Sequence, residues 1–434
     1  MAAIRVAAEF LVDLRNGSDV HGSDVFRKPS ATLSLHGVLM AHSPVSARDV
    51  ASPPTRRRGR RISLPLLAFG IIFAGWWSLV FLLVGIDPLD LYPWGLSAKL
   101  RDNEYGPDST RYLVDVVAKD PSIDTILIGG STSAFFTRQM MNSILPGTKN
   151  GFNLSYQAPR VGERALVTAQ VMQHTHAKHV LLAADWIYAL RGQTEIENAF
   201  PGYLYDDTPL NDIRMVNIIT MRVARAILAS RSVWLADWDW GIYQRSRERS
   251  YRRFQTVESM NGLRTEIEKY RNDTNVPSMR SCADFDAVND QLIPFAKALS
   301  AKHIALDIFF PPYSLAFYYD WIATPSRRAL LGSALLNDQL RVRRCLVEAL
   351  AGMQGVRIFA FDNEDWLTGD LKNYSDTAHV FDVAVYRYML KSIAEGSHRL
   401  TMQTVDADAD ELRRHVKSYT LTNSNFGKAD VLGN

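Results

Sequence analysis

Between Ile62 and Ile86 the chain runs "ISLPLLAFGIIFAGWWSLVFLLVGI", 25 residues without a charge. At about 1.5 Å per residue in a helix, such a run crosses a hydrocarbon core of roughly 30 Å. It divides the chain into parts that meet different solvents. In front stands "TRRRGRR", with Arg56, Arg57, Arg58, Arg60 and Arg61, and basic flanks stay on the cytoplasmic side. Behind it "DPLDLYPWG" carries acids and aromatics. The run is longer than the apolar part of a signal peptide, and no small-residue cleavage site follows it. The expectation is a single-pass transmembrane helix over 62–86, anchored in lipid. Residues 1–61 lack periodicity and are expected to be a mostly disordered cytoplasmic tail. Residues 87–434 are expected to form one large domain on the far side.

The whole chain has 434 residues, 47 % hydrophobic and 22 % charged, which is a globular balance. A net charge of +3 gives no dense basic face, so no nucleic-acid partner is expected. There are two cysteines, Cys282 and Cys345, and no Cys/His cluster with metal-ligand spacing. No metal site is expected. Outside the cytoplasm the two cysteines can join as a disulfide or remain as buried thiols.

Beyond the apolar run, strands and helices alternate. "DTILIGG" (Asp124–Gly130), "NGFNLS" (Asn150–Ser155), "KHVLLAADW" (Lys178–Trp186), "HIALDIFFPP" and "GVRIFAFD" read as short strands. "ERALVTAQVMQHTH", "DAVNDQLIPFAKALSAK", "LLNDQLRVRRCLVEALAG" and "TAHVFDVAVYRYMLKSIAEG" read as helices. A helical insertion rich in Arg, Trp and Tyr interrupts the alternation over about 188–280. Such alternation predicts an α/β fold with a parallel sheet covered on both faces. Sites in such sheets lie beyond the C-terminal strand ends, where Ser131, Asp185, Pro311 and Asp362 fall.

At the first of these ends the chain reads "TILIGGSTSAFF". The small residues permit a tight turn, and they also present Ser131 as a candidate nucleophile, with Ser133 competing as a helix N-cap. A serine nucleophile needs a base with its own orienting acceptor. "NYSDTAHV", after the last strand, offers Asp376 and His379 three residues apart, close enough to share one face of a turn or helix start.

"GGST" after the first strand and "SDTAH" after the last resemble the blocks of the SGNH/GDSL hydrolase superfamily. The resemblance covers about Asp124 to Gly396 and is closest to membrane-anchored bacterial members associated with the cell envelope. It implies a flavodoxin-like three-layer sheet, with Ser131 as nucleophile, His379 as base and Asp376 as its orienter. It implies acyl-ester hydrolysis or O-acetyl transfer on an exported polysaccharide, without metal or organic cofactor, alongside a membrane acyltransferase partner. The location implied is the bacterial inner membrane, with the large domain periplasmic. The oxyanion and substrate positions would fall at Gly130, at Gln157 or Ala158 in "NLSYQAP", and at Asp185 in "AADW". Here the chain departs from the family pattern, which has glycine in the second block and asparagine in the third. Asp185 would then either donate as a protonated acid or hold the loops together. The departure motivates an alternative: a catalytically inactive SGNH fold that binds glycan or scaffolds an envelope assembly. A phosphate-binding turn has the least support, since no P-loop lysine follows.

Two aromatic stretches add expectations. Tyr313 in "FFPPYS" either stacks on a sugar or packs in a loop. "WLADWDWGIYQRSRERSYRRF" (Trp234–Phe254) is read as a membrane-surface element, a glycan-binding lid or an ordinary amphipathic helix.

Overall fold

The computed structural model describes residues 63–86, 106, 109–190, 196, 200–206, 235–331 and 334–422. The chain divides into two units, Met1–Ile62 and Ser63–Asn434, and only the second contains described residues. The tail expected over 1–61 and its arginine cluster lie outside them. An uncharged helix spans Leu64–Ile86, 23 residues, and its described side chains, Leu64, Phe69, Ile72 and Phe81 among them, are exposed. Counted over described side chains alone, no helix is long and apolar enough to cross a membrane. The backbone of this one continues as helix through residues 83–86, whose side chains are not described.

Six strands form one sheet: β1 (Thr125–Ile128), β2 (Gly151–Asn153), β3 (His179–Ala183), β4 (Ala305–Phe310), β5 (Val356–Ala360) and β6 (Arg399–Leu400), in the order β2-β1-β3-β4-β5-β6. The first five pair in parallel, and β6 runs antiparallel to β5. The five parallel strands coincide with the five apolar runs of the sequence. β6 departs from the expected all-parallel sheet. Two residues are too few to show a period, and the edge is closed by the turn that follows the helix Val383–Glu395.

Register explains why these runs are mostly apolar. Ile126, Val180, Leu306 and Val356 stand side by side across β1, β3, β4 and β5, as do Ile128, Leu182, Ile308 and Ile358. Both rows belong to one core, packed under the helices Val161–His174, Ile293–Ala301 and Leu335–Leu350. The alternate residues Leu127, Leu181, Ala183, Phe309 and Phe359 belong to a second core, with Met140, Met141, Val385, Tyr386 and Met389 of the helices Arg138–Ile144 and Val383–Glu395. A strand buried on both faces cannot alternate polar and apolar residues. A third core joins Leu263 and Ile267 of the insertion to Trp321, Leu336, Leu412 and Val416. The closing helix Val405–Ser418 was not anticipated.

Cys282 and Cys345 are joined as a disulfide, with Cα atoms 5.4 Å apart. The bond ties the end of the insertion to the helix Leu335–Leu350. Strand order reverses between β1 and β3, and the crevice at such a reversal lies outside the carboxyl ends of the strands. The Gly-Gly-Ser turn leaves β1 there, and Asp185 follows β3 there.

Candidate active site

The turn after β1 admits only glycine at its first two positions. A Cβ on Gly129 would fall 1.8 Å from Ser133 Oγ and 2.6 Å from Ser155 Oγ, and one on Gly130 would fall 2.6 Å from Asp185 Oδ2. Removing those side-chain atoms lets buried polar groups close on the backbone. Ser131–Ser133 then form a single 3-10 turn. Ser133 is fully buried, donating to the Gly130 carbonyl at 3.0 Å and lying 2.8 Å from Ser155 Oγ. It is not the helix N-cap the sequence suggested; Thr137 caps Arg138–Ile144 by accepting from the Met140 amide at 3.2 Å. Asn153, at the end of β2, donates to the carbonyls of Ser133, Ala134 and Phe136 and so fixes the outgoing chain. Ser131 is left partly exposed, with its hydroxyl outward.

That hydroxyl meets His379. Ser131 Oγ and His379 Nε2 are 2.8 Å apart, and His379 Nδ1 lies 2.7 and 2.9 Å from the two oxygens of Asp376. A carboxylate only accepts, so Nδ1 carries the proton and Nε2 accepts from the serine. Asp376 and His379 sit on a tight turn, not at a helix start: Asp376 Oδ1 accepts from the amides of Ala378 and His379 at 2.8 and 2.9 Å, and the next helix begins at Val383. This is an Asx-type turn, which aspartate forms readily. The loop is held from outside by Ser314, which donates to the Thr377 carbonyl, and by Asp320, which accepts from Thr377 Oγ1 at 2.7 Å.

Surrounding protein opposes the charge on Asp376, yet His379, Arg247 and the Ala378 amide outweigh it and hold the carboxyl well below the usual carboxylate range. One edge of this side chain meets water, since it is 43 % exposed. Solvent therefore screens part of these interactions.

The remaining positions divide into two groups. Gly130 lies in the turn itself. Gln157 and Ala158 are exposed on the loop after β2, and Ala158 holds φ of +43°, the left-handed backbone that glycine adopts freely. The Ala158 amide makes no hydrogen bond among the described residues. Asp185 lies under the turn and is only 6 % exposed. It accepts from Arg164 Nη2 at 3.0 Å and from Thr132 Oγ1 at 2.5 Å. Both oxygens are engaged as acceptors, so Asp185 ties β3 to the turn and aims no donor at its mouth. Tyr313 does not face a sugar: it is 2 % exposed and stacks on Phe317 at 4.4 Å.

Sequence reasoning missed two residues at the site. The insertion stretch read three ways above is the amphipathic helix Leu235–Phe254, and it packs against the turn. Its Tyr243 donates to the Ser131 carbonyl at 3.1 Å. Its Arg247 donates from Nη2 to the Val380 carbonyl, one residue past His379. Trp240, Tyr243 and Arg247 surround Phe135. The signal was present as an arginine at helical spacing among aromatics, on the apolar face. Among the described residues no His/Cys/Asp/Glu group is arranged to hold a metal ion. The chain matches no protein-family model and no curated protein.

Proposed function

We propose that this chain is a membrane-anchored serine esterase or O-acyltransferase of the SGNH type. The observation that carries the reading is the continuous hydrogen-bonded chain from Ser131 through His379 to Asp376. A serine hydroxyl is a weak nucleophile until a base takes its proton, and the base must be held in one tautomer. All three requirements meet at the carboxyl ends of the strands.

In this mechanism Ser131 Oγ attacks an ester carbonyl as its proton passes to His379 Nε2. Asp376 stabilises the imidazolium. The Ser131 and Ala158 amides, which have no hydrogen-bond partner among the described residues, are the donors offered to the oxyanion. Collapse of the intermediate sends the proton from His379 to the departing alkoxide and leaves an acyl-Ser131. Water or a sugar hydroxyl then enters, gives its proton to His379, and releases the acyl group. Acetyl as the acyl group and a cell-envelope polysaccharide as its carrier rest on the resemblance of the "GGST" and "SDTAH" blocks, as does a membrane acyltransferase as donor.

The anchor is part of the same reading. An uncharged helix of 23 residues with its described apolar side chains exposed needs a nonaqueous partner. The arginines before it favour a cytoplasmic N-terminus. The disulfide supports a domain on the oxidising side of an inner membrane.

The test is a fluorophosphonate probe applied to the detergent-solubilised full chain, with the adduct mapped by mass spectrometry. An adduct on Ser131 that disappears in His379→Ala supports an activated nucleophile. No adduct on the folded protein favours the inactive glycan-binding or scaffold reading, which the carboxylate at Asp185 already motivates.

A further inference from the structure

Among the described residues Arg247 is a buried cation with no carboxylate in hydrogen-bond contact. It is 6 % exposed, and its Nε meets no hydrogen-bond partner among them. Its guanidinium lies over the rings of Phe135, at 5.3 Å, and Tyr243, at 5.8 Å. A buried guanidinium is costly unless charge and hydrogen bonds offset its lost hydration. One carbonyl and two ring faces supply part of that offset. Its positive charge acts on the Asp376 carboxylate. The titratable groups near this cation come from three elements: Asp376 from the loop, Tyr386 from the helix Val383–Glu395, and Tyr243 from its own helix. Tyr386 Oη lies 3.1 Å from both the Thr132 and the Val380 carbonyls, so Arg247, Tyr243 and Tyr386 together bridge the serine turn and the histidine loop.

We propose that Arg247 is a positioning residue of the Ser131–His379–Asp376 chain, pinning the histidine loop at Val380 and holding a fixed positive charge against the Asp376 carboxylate. A fixed cation favours ionised Asp376 and opposes a second positive charge on the imidazole. Tyr243, one helical turn earlier, fixes the Ser131 carbonyl and so the direction of the hydroxyl. The insertion helix is then a working part of the site and not an appendage. The catalytic meaning of this role rests on the serine-nucleophile reading above; the electrostatic part does not.

Two measurements on the full chain in detergent separate these. The first is an NMR titration of the isotopically labelled His379 ring. Arg247→Met moves the protonation midpoint of the pair to higher pH by roughly one unit. Arg247→Lys, which keeps the charge, returns most of that shift. The second is the pH profile of phosphonate labelling at Ser131, whose acid limb moves by the same amount in Arg247→Met. Tyr243→Phe slows labelling without moving the limb. A folded Arg247→Met protein with an unmoved midpoint overturns the proposal. Should Arg247→Met fail to fold, Arg247→Gln against Arg247→Lys makes the same comparison of charge. A wild-type chain that never labels overturns the proposed activity, while the NMR midpoint still decides the role of Arg247.

Discussion

Two histidine–aspartate pairs lie at opposite ends of the strands, one beyond the carboxyl ends (the upper edge) and one toward the amino ends (the lower edge), and they differ in what completes them. At the upper edge His379 stands between Asp376 and a serine hydroxyl. Toward the lower edge His179, the first residue of β3, lies 2.7 Å from Asp307 of β4, and Arg357 of β5 closes on the same carboxylate with Nε and Nη2, each at 2.7 Å. Asp307 is 1 % exposed, and His179 meets no hydroxyl among the described residues. A cavity of about 960 Å³ opens at this lower edge, with His179 and Arg357 in its wall. Cavity size and a His–Asp contact would both have pointed there. What decides for the upper edge is the third partner: a hydroxyl makes the imidazole a base, whereas a guanidinium makes the carboxylate one side of a buried ion pair.

The largest expected effect breaks the comparison most directly. Asp376→Asn forces His379 toward the wrong tautomer, and the phosphonate labelling rate of Ser131 should fall by about four orders of magnitude. His179→Ala should leave that rate within about twofold, since it touches none of the three residues. Equal losses in both variants would mean that the site has been placed at the wrong edge.

Stability should rank the pairs in the opposite sense. Asp307→Asn removes the carboxylate that Arg357 and His179 share and should cost about 3 kcal/mol in urea unfolding, with labelling unchanged. Asp376→Asn should cost less, because its side chain is 43 % exposed and screened. The dependence on pH sharpens this. Burial opposes the charge of Asp307, but His179 and Arg357 prevail and hold its carboxyl below its ordinary value. A carboxyl lowered in the folded state contributes stability that is fully present above its unfolded value, about 3.9, and is lost as pH falls through the folded one. Unfolding free energy should therefore decline below about pH 4 in the wild type. The decline should be shallower in Asp307→Asn, and less altered in Asp376→Asn.

The two edges were not equally legible in the sequence. The five parallel strands could be read because burial on both faces leaves mostly apolar runs; Ser131 could be read because it follows β1 directly, and Asp376 and His379 because they stand three residues apart in the segment after β5. Asp307 interrupts "ALDIFF" as an evident buried charge, but its partners lie 128 residues before it and 50 after it, beyond any local pattern. Arg247 and Tyr243 were hidden for the same reason. Helical spacing places them on one face of Leu235–Phe254 without saying what that face meets. Asp185 was visible as a departure from the family pattern, and only Arg164 and Thr132 show why a carboxylate belongs there.

The smallest effect separates strain with a use from strain without one. Each edge holds a non-glycine residue with left-handed backbone: Ala158 above, with φ of +43°, and His303 below, with φ of +58°. A left-handed alanine costs roughly 1 to 2 kcal/mol, and glycine returns part of the gain through its freer unfolded chain. Ala158→Gly should thus stabilise the fold by about half a kcal/mol, and His303→Gly by a similar amount. Their effects on Ser131 should differ. Ala158 carries an amide proposed for the oxyanion, so glycine there should change the labelling rate severalfold through looser placement of that donor, whereas His303→Gly should leave it unmoved. Equal indifference at both positions would remove Ala158 from the oxyanion site and leave its backbone as a loop constraint of the kind found at His303.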